Sequence, residues 1–391
     1  MRFPGFEGEW EIKKLSAFLS ENKERNRNGE FRKTDVLSVS GDCGIVNQIE
    51  LLGRSFAGKS VADYHIVRTG DIVYTKSPLK EYPYGIVKYN NGKDGIVSTL
   101  YAVYHHNDNV DGKFVEYYFT NPHRTNKYFK PIVRIGAKHD MKIGNEEVLD
   151  NFVIFPDLTE QRKITEILSL LDERIIIQNK VIEDCITLEK EIQNQVFGQI
   201  SAPLVPLSSI SQRVTERNTS LESDNVLTIS AREGLVSQLE FFNKSVASEN
   251  LSNYYLLRNG DFAYNKSYSS DHPWGAIKHL EKYDTGVLSP LYFCFRPNKE
   301  MVDSKYLQFF FDTKLWHKHI AEIAVEGARN HGLLNMSVGS FYSMPILLPN
   351  MQDQRAIAEK LSVFQQKRAV EEALLNSLLT QKGFLLESLF V

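Results

Sequence analysis

Two stretches of this chain carry the same heptad rhythm, and together they decide what it can fold into. From Asp157 to Phe197, residues Ile164, Leu168, Leu171, Ile175, Ile182, Cys185, Ile192 and Val196 fall at alternating spacings of three and four, with Gln178 and Glu189 as polar interruptions. That roughly 3.5-residue period belongs to a coiled-coil seam, and the period of two that a strand shows cannot produce it. Pro156 ends the preceding segment, Asp157 is a good N-cap, and Glu160 lies three residues on, where its side chain can reach back to the cap. A helix of that length is about 60 Å long, too long for one globular core to cover, so it needs a partner helix. Displacing the seam by 193 residues gives Ile357, Leu361, Phe364, Arg368, Leu375, Leu378, Leu385 and Leu389, preceded by Pro349, Asn350 and Asp353 in the same capping order. The second copy is the expected partner. Packed antiparallel, one register sets Glu189 against Arg368 and Ile175 against Lys382.

The repeat extends beyond the helices. Tyr64 to Ser77 reads YHIVRTGDIVYTKS and Tyr254 to Ser267 reads YYLLRNGDFAYNKS, with seven identities in fourteen positions; average composition predicts about one by chance. Val36-Leu-Ser-Val-Ser matches Val226-Leu-Thr-Ile-Ser, Pro83-Tyr-Gly matches Pro273-Trp-Gly, and Gly136-Ala-Lys-His matches Gly327-Ala-Arg-Asn. Glu160-Gln-Arg and Asp353-Gln-Arg open the two long helices. Short β-rich runs (36–39, 66–74, 85–89, 97–104) separated by Gly and Asn turns, with a helical stretch near 113–120, give mixed α/β domains. The expected order is domain 1–156, long helix 157–197, linker 198–206, domain 207–349 and long helix 350–391. The fold class is thus two copies of an α/β (α+β) domain in a pseudo-two-fold arrangement, separated by two long antiparallel coiled-coil helices.

A chain of 391 residues has room for two to three domains, and 42% apolar with 24% charged residues is a globular composition. No apolar run reaches the length of a membrane span, and the start, MRFPGFEGEWEIKK, lacks the pattern of a signal peptide, so a cytoplasmic protein with no membrane partner is expected. Cys43, Cys185 and Cys294 are odd in number and far apart, which suggests neither a disulfide framework nor a metal site. The formal net charge of −3 is concentrated on the first long helix, where five basic residues face nine acidic ones. A basic face on either domain would have to come from local clusters of Lys and Arg.

Similar but non-identical modules on a fixed spacer suit a ligand with two distinct half-sites, and duplex DNA is the natural candidate. The frame of the repeat is kept while the stretch after it diverges, PLKEY at 78–82 against YSSDH at 268–272, as one scaffold with two specificities would show and as neutral drift would also produce. Lys76 and Lys266 are expected to contact phosphates, with Ser77 and Ser267 beside them. A structural turn would show the same Tyr-x-Lys-Ser spelling. Lys138-His139 and Arg329-Asn330 lie in Gly-led loops and could read bases, since Arg suits guanine and Asn adenine; an ordinary surface loop is the plainer reading. Lys80, Tyr82, Tyr84, His272 and Trp274 are groove or stacking candidates, and Tyr84 and Trp274 fit core packing as well. The run from Lys113 to Lys142 holds seven basic residues against two acidic ones, as would a solvated helix face.

With these residues in view, the chain resembles the specificity subunit of type I restriction-modification enzymes over essentially its full length. The likeness rests on RFPGFEGEW (Arg2 to Trp10), the repeated GD-x-x-Y-x-KS, the GAKH and GARN loops, and the proline followed by EQR or DQR at each long helix. It implies two target-recognition domains, each reading half of a bipartite DNA sequence, on a helical spacer that docks two methyltransferase subunits. In that family those subunits modify adenine N6 with S-adenosylmethionine, and restriction subunits add ATP- and magnesium-dependent DNA cleavage. No cofactor is expected in this chain. It has no Asn/Asp-Pro-Pro-aromatic tetrad, no GxGxxG after a strand and no Walker-type loop, and Asp71 and Asp261 sit in Gly-Asp turns where Asp serves the backbone. Two other classes stay open, a coiled-coil scaffold without DNA affinity and a self-contained methyltransferase-nuclease. Within the family, a subunit serving a methyltransferase that has no restriction partner would read the same way.

Overall fold

The computed structural model describes all residues except 1, 136–140, 231–232, 243–249, 268–271, 325–332 and 391, and only the backbone of residue 135. Two compact units form, one from residues 1–179 and 373–391, the other from residues 180–372. The boundaries run through the two long helices, Leu158–Gln199 and Met351–Ser388, so each unit owns an α/β body and half of each helix.

The bodies share one strand order among their described residues, apart from the short pair Arg134–Ile135 with Met141–Lys142 of the first. In the first, Leu19–Glu21, Tyr101–His106, Ile72–Thr75 and Val87–Tyr89 make a four-stranded antiparallel sheet in that spatial order. In the second, Ser211–Arg213, Phe293–Pro297, Phe262–Asn265 and Ala276–His279 do the same. Two antiparallel pairs recur, the hairpin Leu37–Ser40 with Gly44–Asn47 and the longer-range pair His65–Val67 with Gly95–Val97, matched by Leu227–Ser230 with Gly234–Ser237 and Tyr255–Arg258 with Thr285–Leu288. A third pair leads into each long helix: Glu11–Lys14 with Phe152–Phe155, and Leu204–Pro206 with Pro345–Leu347. Part of the expected linker is therefore a strand, with Pro206 at its end, where a missing N–H costs no ladder bond.

The shared Tyr and the shared Pro-aromatic-Gly explain one another. Tyr74 and Tyr264 are fully buried, and their hydroxyls donate to the carbonyls of Tyr84 (2.6 Å) and Trp274 (2.9 Å). To let those carbonyls in, the next residue must pass over the strand. Gly85 and Gly275 have φ of +88° and +78°, and a Cβ there would lie 2.0 Å from the Thr75 carbonyl oxygen and 2.1 Å from that of Asn265. Tyr84 and Trp274 themselves pack against the cores of their units.

Both helix starts are capped as expected in one respect and differ in another. Asp157 Oδ1 accepts from the Glu160 N–H (3.0 Å) and Asn350 Oδ1 from the Asp353 N–H (2.9 Å). The Glu160 carboxylate does not close a capping box: it is 1% exposed and pairs with the Arg2 guanidinium at 2.8 and 2.5 Å. A carboxylate so deeply buried needs a full opposite charge, which a backbone N–H does not supply. The adjoining glutamines carry the main join. Gln161 Nε2 donates to the Pro156 carbonyl while its Oε1 accepts from the Asp111 N–H, at the N-cap of helix Gly112–Tyr118. Gln354 repeats this with the Pro349 carbonyl and the Asp303 N–H, at the N-cap of helix Ser304–Asp312.

Within the first unit, the opening half of the first long helix packs against the closing half of the second. Ile164, Leu168, Leu171 and Leu378 are buried, Ile175 and Leu375 half-buried. In the second unit Ile182 and Leu361 are buried, Ile357 and Phe364 half-buried. Arg368 Nε lies 3.1 Å from Glu189 Oε2, as the antiparallel register requires. Lys382 does not rest against Ile175 alone; it reaches one turn back to Asp172 at 2.6 Å, because a flexible ammonium finds an acid within one turn before it accepts an apolar flank.

Gly275→Ala is expected to destabilise the second unit by about 3 kcal/mol or more, through the left-handed φ and the clash with a ladder carbonyl. Gly198→Ala, at a helical position with nothing within 4 Å of the added carbon, should be neutral or stabilise by up to about 1 kcal/mol. Urea denaturation of the two variants measures both.

Candidate nucleic-acid interface

The repeated motif occupies the same place in both units. Gly70 and Gly260 turn with φ of +99° and +94°, and the following aspartate closes the turn on its own backbone. Asp71 Oδ2 accepts from the Arg68 N–H (2.7 Å) and Asp261 Oδ2 from the Arg258 N–H (2.8 Å). The second oxygen differs: Asp71 Oδ1 meets His105 Nδ1 at 2.6 Å, whereas Asp261 takes a two-pronged contact from Arg296 at 2.7 and 2.8 Å. These aspartates are structural anchors. The shared arginines are also spent locally, Arg68 on Glu30 and Asp94, Arg258 on Glu216 and Glu222.

Lys76 and Lys266 end the motif strand half-buried, and in both, burial holds the ammonium below its usual pKa. Lys76 Nζ donates to the Ile143 carbonyl (3.0 Å) and to Asn145 Oδ1. Asn145 is fixed in turn, its Nδ2 donating to Glu21 Oε1 (2.6 Å) and its carbonyl accepting from the Tyr104 hydroxyl (2.8 Å). Lys266 Nζ lies 4.5 Å over the Phe293 ring, while its carbonyl accepts from the Leu334 N–H (2.9 Å). Ser267 bridges Leu333, and Ser77 is exposed. The KS end of the motif thus holds the chain that follows the Gly-Ala loop in both units. Lys138, His139, Arg329 and Asn330, the loop residues expected to read bases, lie outside the described residues.

Beside the motif, Lys80 is exposed in a turn closed by the Leu79 N–H on the Tyr82 carbonyl. Tyr82 is half-buried with its hydroxyl on the Thr120 carbonyl, which leaves it less free to stack than the sequence suggested. His272 is exposed, with its carbonyl accepting from Gly275. The 113–142 basic run divides. Lys113 pairs with Glu116, and Arg124 turns inward to the carbonyls of Phe390 and Tyr118. Lys127, Lys130, Arg134 and Lys142 stay exposed. Arg134 and Lys142 face each other across the strand pair Arg134–Ile135 and Met141–Lys142. The sequence placed both in a basic run, and nothing in it showed that they were opposite one another.

Among the described residues no cluster of three or more His, Cys, Asp or Glu could hold a metal ion, and no helix is long and apolar enough to cross a membrane.

No protein-family model and no curated protein matches this chain. Solved structures do. A type I restriction-modification S subunit from M. genitalium aligns with a TM-score of 0.54 at 14% identity, over 98% of this chain and 96% of that one. A chain from a type I R-M system, solved for the structural basis of complex assembly and conformational transition, aligns with a TM-score of 0.53 at 13% identity, over 98% and 97%. The chain has the fold of these proteins: two sheet-rich halves with a long helix between them.

His65 gives this face an acid limit. Its Nδ1 is buried without a hydrogen-bond partner, and burial, with the charges of Arg25 and Lys76, pushes the imidazole down to about 4. The folded state holds it neutral while the unfolded chain takes up a proton below about 6.5. Stability should therefore be unaffected at neutral pH and fall as pH drops from about 6.5 to 4, by about 2 to 3 kcal/mol from this group. Denaturation midpoints across that range should decline for the wild type and decline less steeply for His65→Gln.

Proposed function

We propose that this chain is the DNA sequence-specificity subunit of a type I restriction-modification complex. The observation that carries the proposal is the duplication: two α/β bodies of one strand order, each joined to a long helix by the same glutamine, diverging in the segments beside the repeated motif. The likeness of fold to a type I S subunit over nearly the whole chain supports it. Each domain reads one half of a bipartite, asymmetric duplex target. Ser77, Lys80, Tyr82, Lys138 and His139 of the first domain, and Lys266, Ser267, His272, Arg329 and Asn330 of the second, are the residues that contact the DNA. The long helices set the distance between half-sites and dock two methyltransferase subunits, with restriction subunits in the full complex.

The chain itself carries no catalytic step. Adenine-N6 methylation with S-adenosylmethionine, and cleavage with ATP and magnesium, belong to partner subunits in the cytoplasm. The competing reading is a two-domain coiled-coil scaffold without DNA specificity, in which the divergence of the two motif-flanking segments is neutral drift.

Co-expression with the cognate methyltransferase subunit in a host lacking adenine methylation, followed by long-read mapping of modified adenines, is expected to give a bipartite motif with one modified adenine in each half. A well-formed complex that methylates nothing would favour the scaffold. Deleting one heptad from each long helix should shorten the unread spacer of the motif or abolish modification; an unchanged spacer would exclude the helices as the ruler.

A further inference from the structure

Lys76 is the residue that sequence reasoning would first assign to a phosphate, and its surroundings point elsewhere. An ammonium has three donors. Two of Lys76's are already taken, by the Ile143 carbonyl and Asn145 Oδ1, in a half-buried setting. Asn145 is tied to Glu21 and Tyr104, on two adjacent strands of the four-stranded sheet. Lys76 therefore sits at the middle of a chain of hydrogen bonds running from the sheet to the residues that follow the Gly-Ala loop.

The second unit makes the same join with different atoms. Counting from the shared Gly136 and Gly327, Ile143 corresponds to Leu334, and the Leu334 N–H bonds to the carbonyl of Lys266, the counterpart of Lys76. One pair of positions is linked in both copies, by a side chain in one and by backbone in the other. What recurs is the join and not a free lysine.

In the first unit the join supports a strand pair of two residues a side, Arg134–Ile135 with Met141–Lys142. A pair so short is not stable unaided. It also places Arg134 directly across from Lys142. Like charges opposite each other on antiparallel strands are destabilising, and neither side chain makes an ion pair or hydrogen bond with any described residue. A polyanion backbone would supply a countercharge that no described residue gives.

We propose, building on the DNA-binding reading above, that Arg134 and Lys142 are phosphate contacts of the first domain and that Lys76, with Asn145, is a positioning residue that fixes their ribbon to the sheet. The corresponding positions of the second domain are Val325 and Leu333, so this pair of contacts belongs to one half-site only.

The test uses the complex of this chain with its methyltransferase partner, binding a labelled duplex that bears the mapped target or a scrambled one, across a salt series. Arg134→Gln and Lys142→Gln should each reduce the slope of log K against log salt by about one and weaken both duplexes alike. Lys76→Met and Asn145→Ala, which free the ribbon that carries both contacts, should each reduce the slope by about one to two and weaken both duplexes alike, although Asn145→Ala removes no charge. The double variant should be no worse than either single one, because both remove the same join, and Lys76→Arg should recover part of the slope. A slope reduced by Lys76→Met, with Asn145→Ala silent, would make Lys76 the phosphate contact and overturn the assignment. An unchanged slope for both Arg134→Gln and Lys142→Gln would remove the ribbon from the DNA. A wild-type complex that binds neither duplex would instead sink the DNA-binding reading itself.

Discussion

The amides of Gln161 and Gln354 hold this architecture together. Each spans a gap that a helix start cannot fill alone: one end satisfies the carbonyl of the proline before the helix, the other takes the N–H at the cap of a shorter helix in the body. Both side chains are 1% exposed, where an unmade hydrogen bond costs about 1 to 3 kcal/mol. The direction in which each long helix leaves its body is thereby fixed by buried polar geometry. Everything that depends on a fixed exit depends on these two residues.

Once the exits are set, the seams do the rest. Each helix half is covered by a half of the other, so neither helix is a stable object alone. Asp172–Lys382 in one unit and Glu189–Arg368 in the other are partly buried ion pairs at the seam. Burial raises the Glu189 pKa, and Arg368 pulls it back. Pairs of this kind add little net stability, and their value lies in penalising a slipped register, in which each charge would be buried alone.

The copies differ where a repeat is free to differ. Both units need the Gly-Asp turn, and both bury its carboxylate, but one answers it with His105 and the other with Arg296. Both need the end of the motif joined to the chain beyond the Gly-Ala loop, and they use different atoms to do it. The Tyr-to-carbonyl bond over a glycine is the same in both, since no other residue type fits at Gly85 or Gly275. One scaffold thus keeps its strict steric requirements and varies its polar ones, which is how two related domains can present unlike surfaces.

The sequence by itself determined the duplication, the seam, the helix starts and the Glu189–Arg368 register, because each rests on periodicity, on spacing or on residues close in the chain. It also placed the Gly-Asp turns, whose backbone partners, the Arg68 and Arg258 N–H groups, lie three residues back. It set Glu160 where its side chain can reach back to the cap, and it offered Lys76 as a phosphate contact and Tyr82 as a groove or stacking candidate without showing what else each touches. Tertiary structure gave these residues partners distant in sequence: Arg2 for Glu160, Ile143 and Asn145 for Lys76, Thr120 for Tyr82. The pairing of Arg134 with Lys142 was likewise decided by strand register. Local pattern records which residues share a face; it does not record which distant donor and acceptor meet when two faces close.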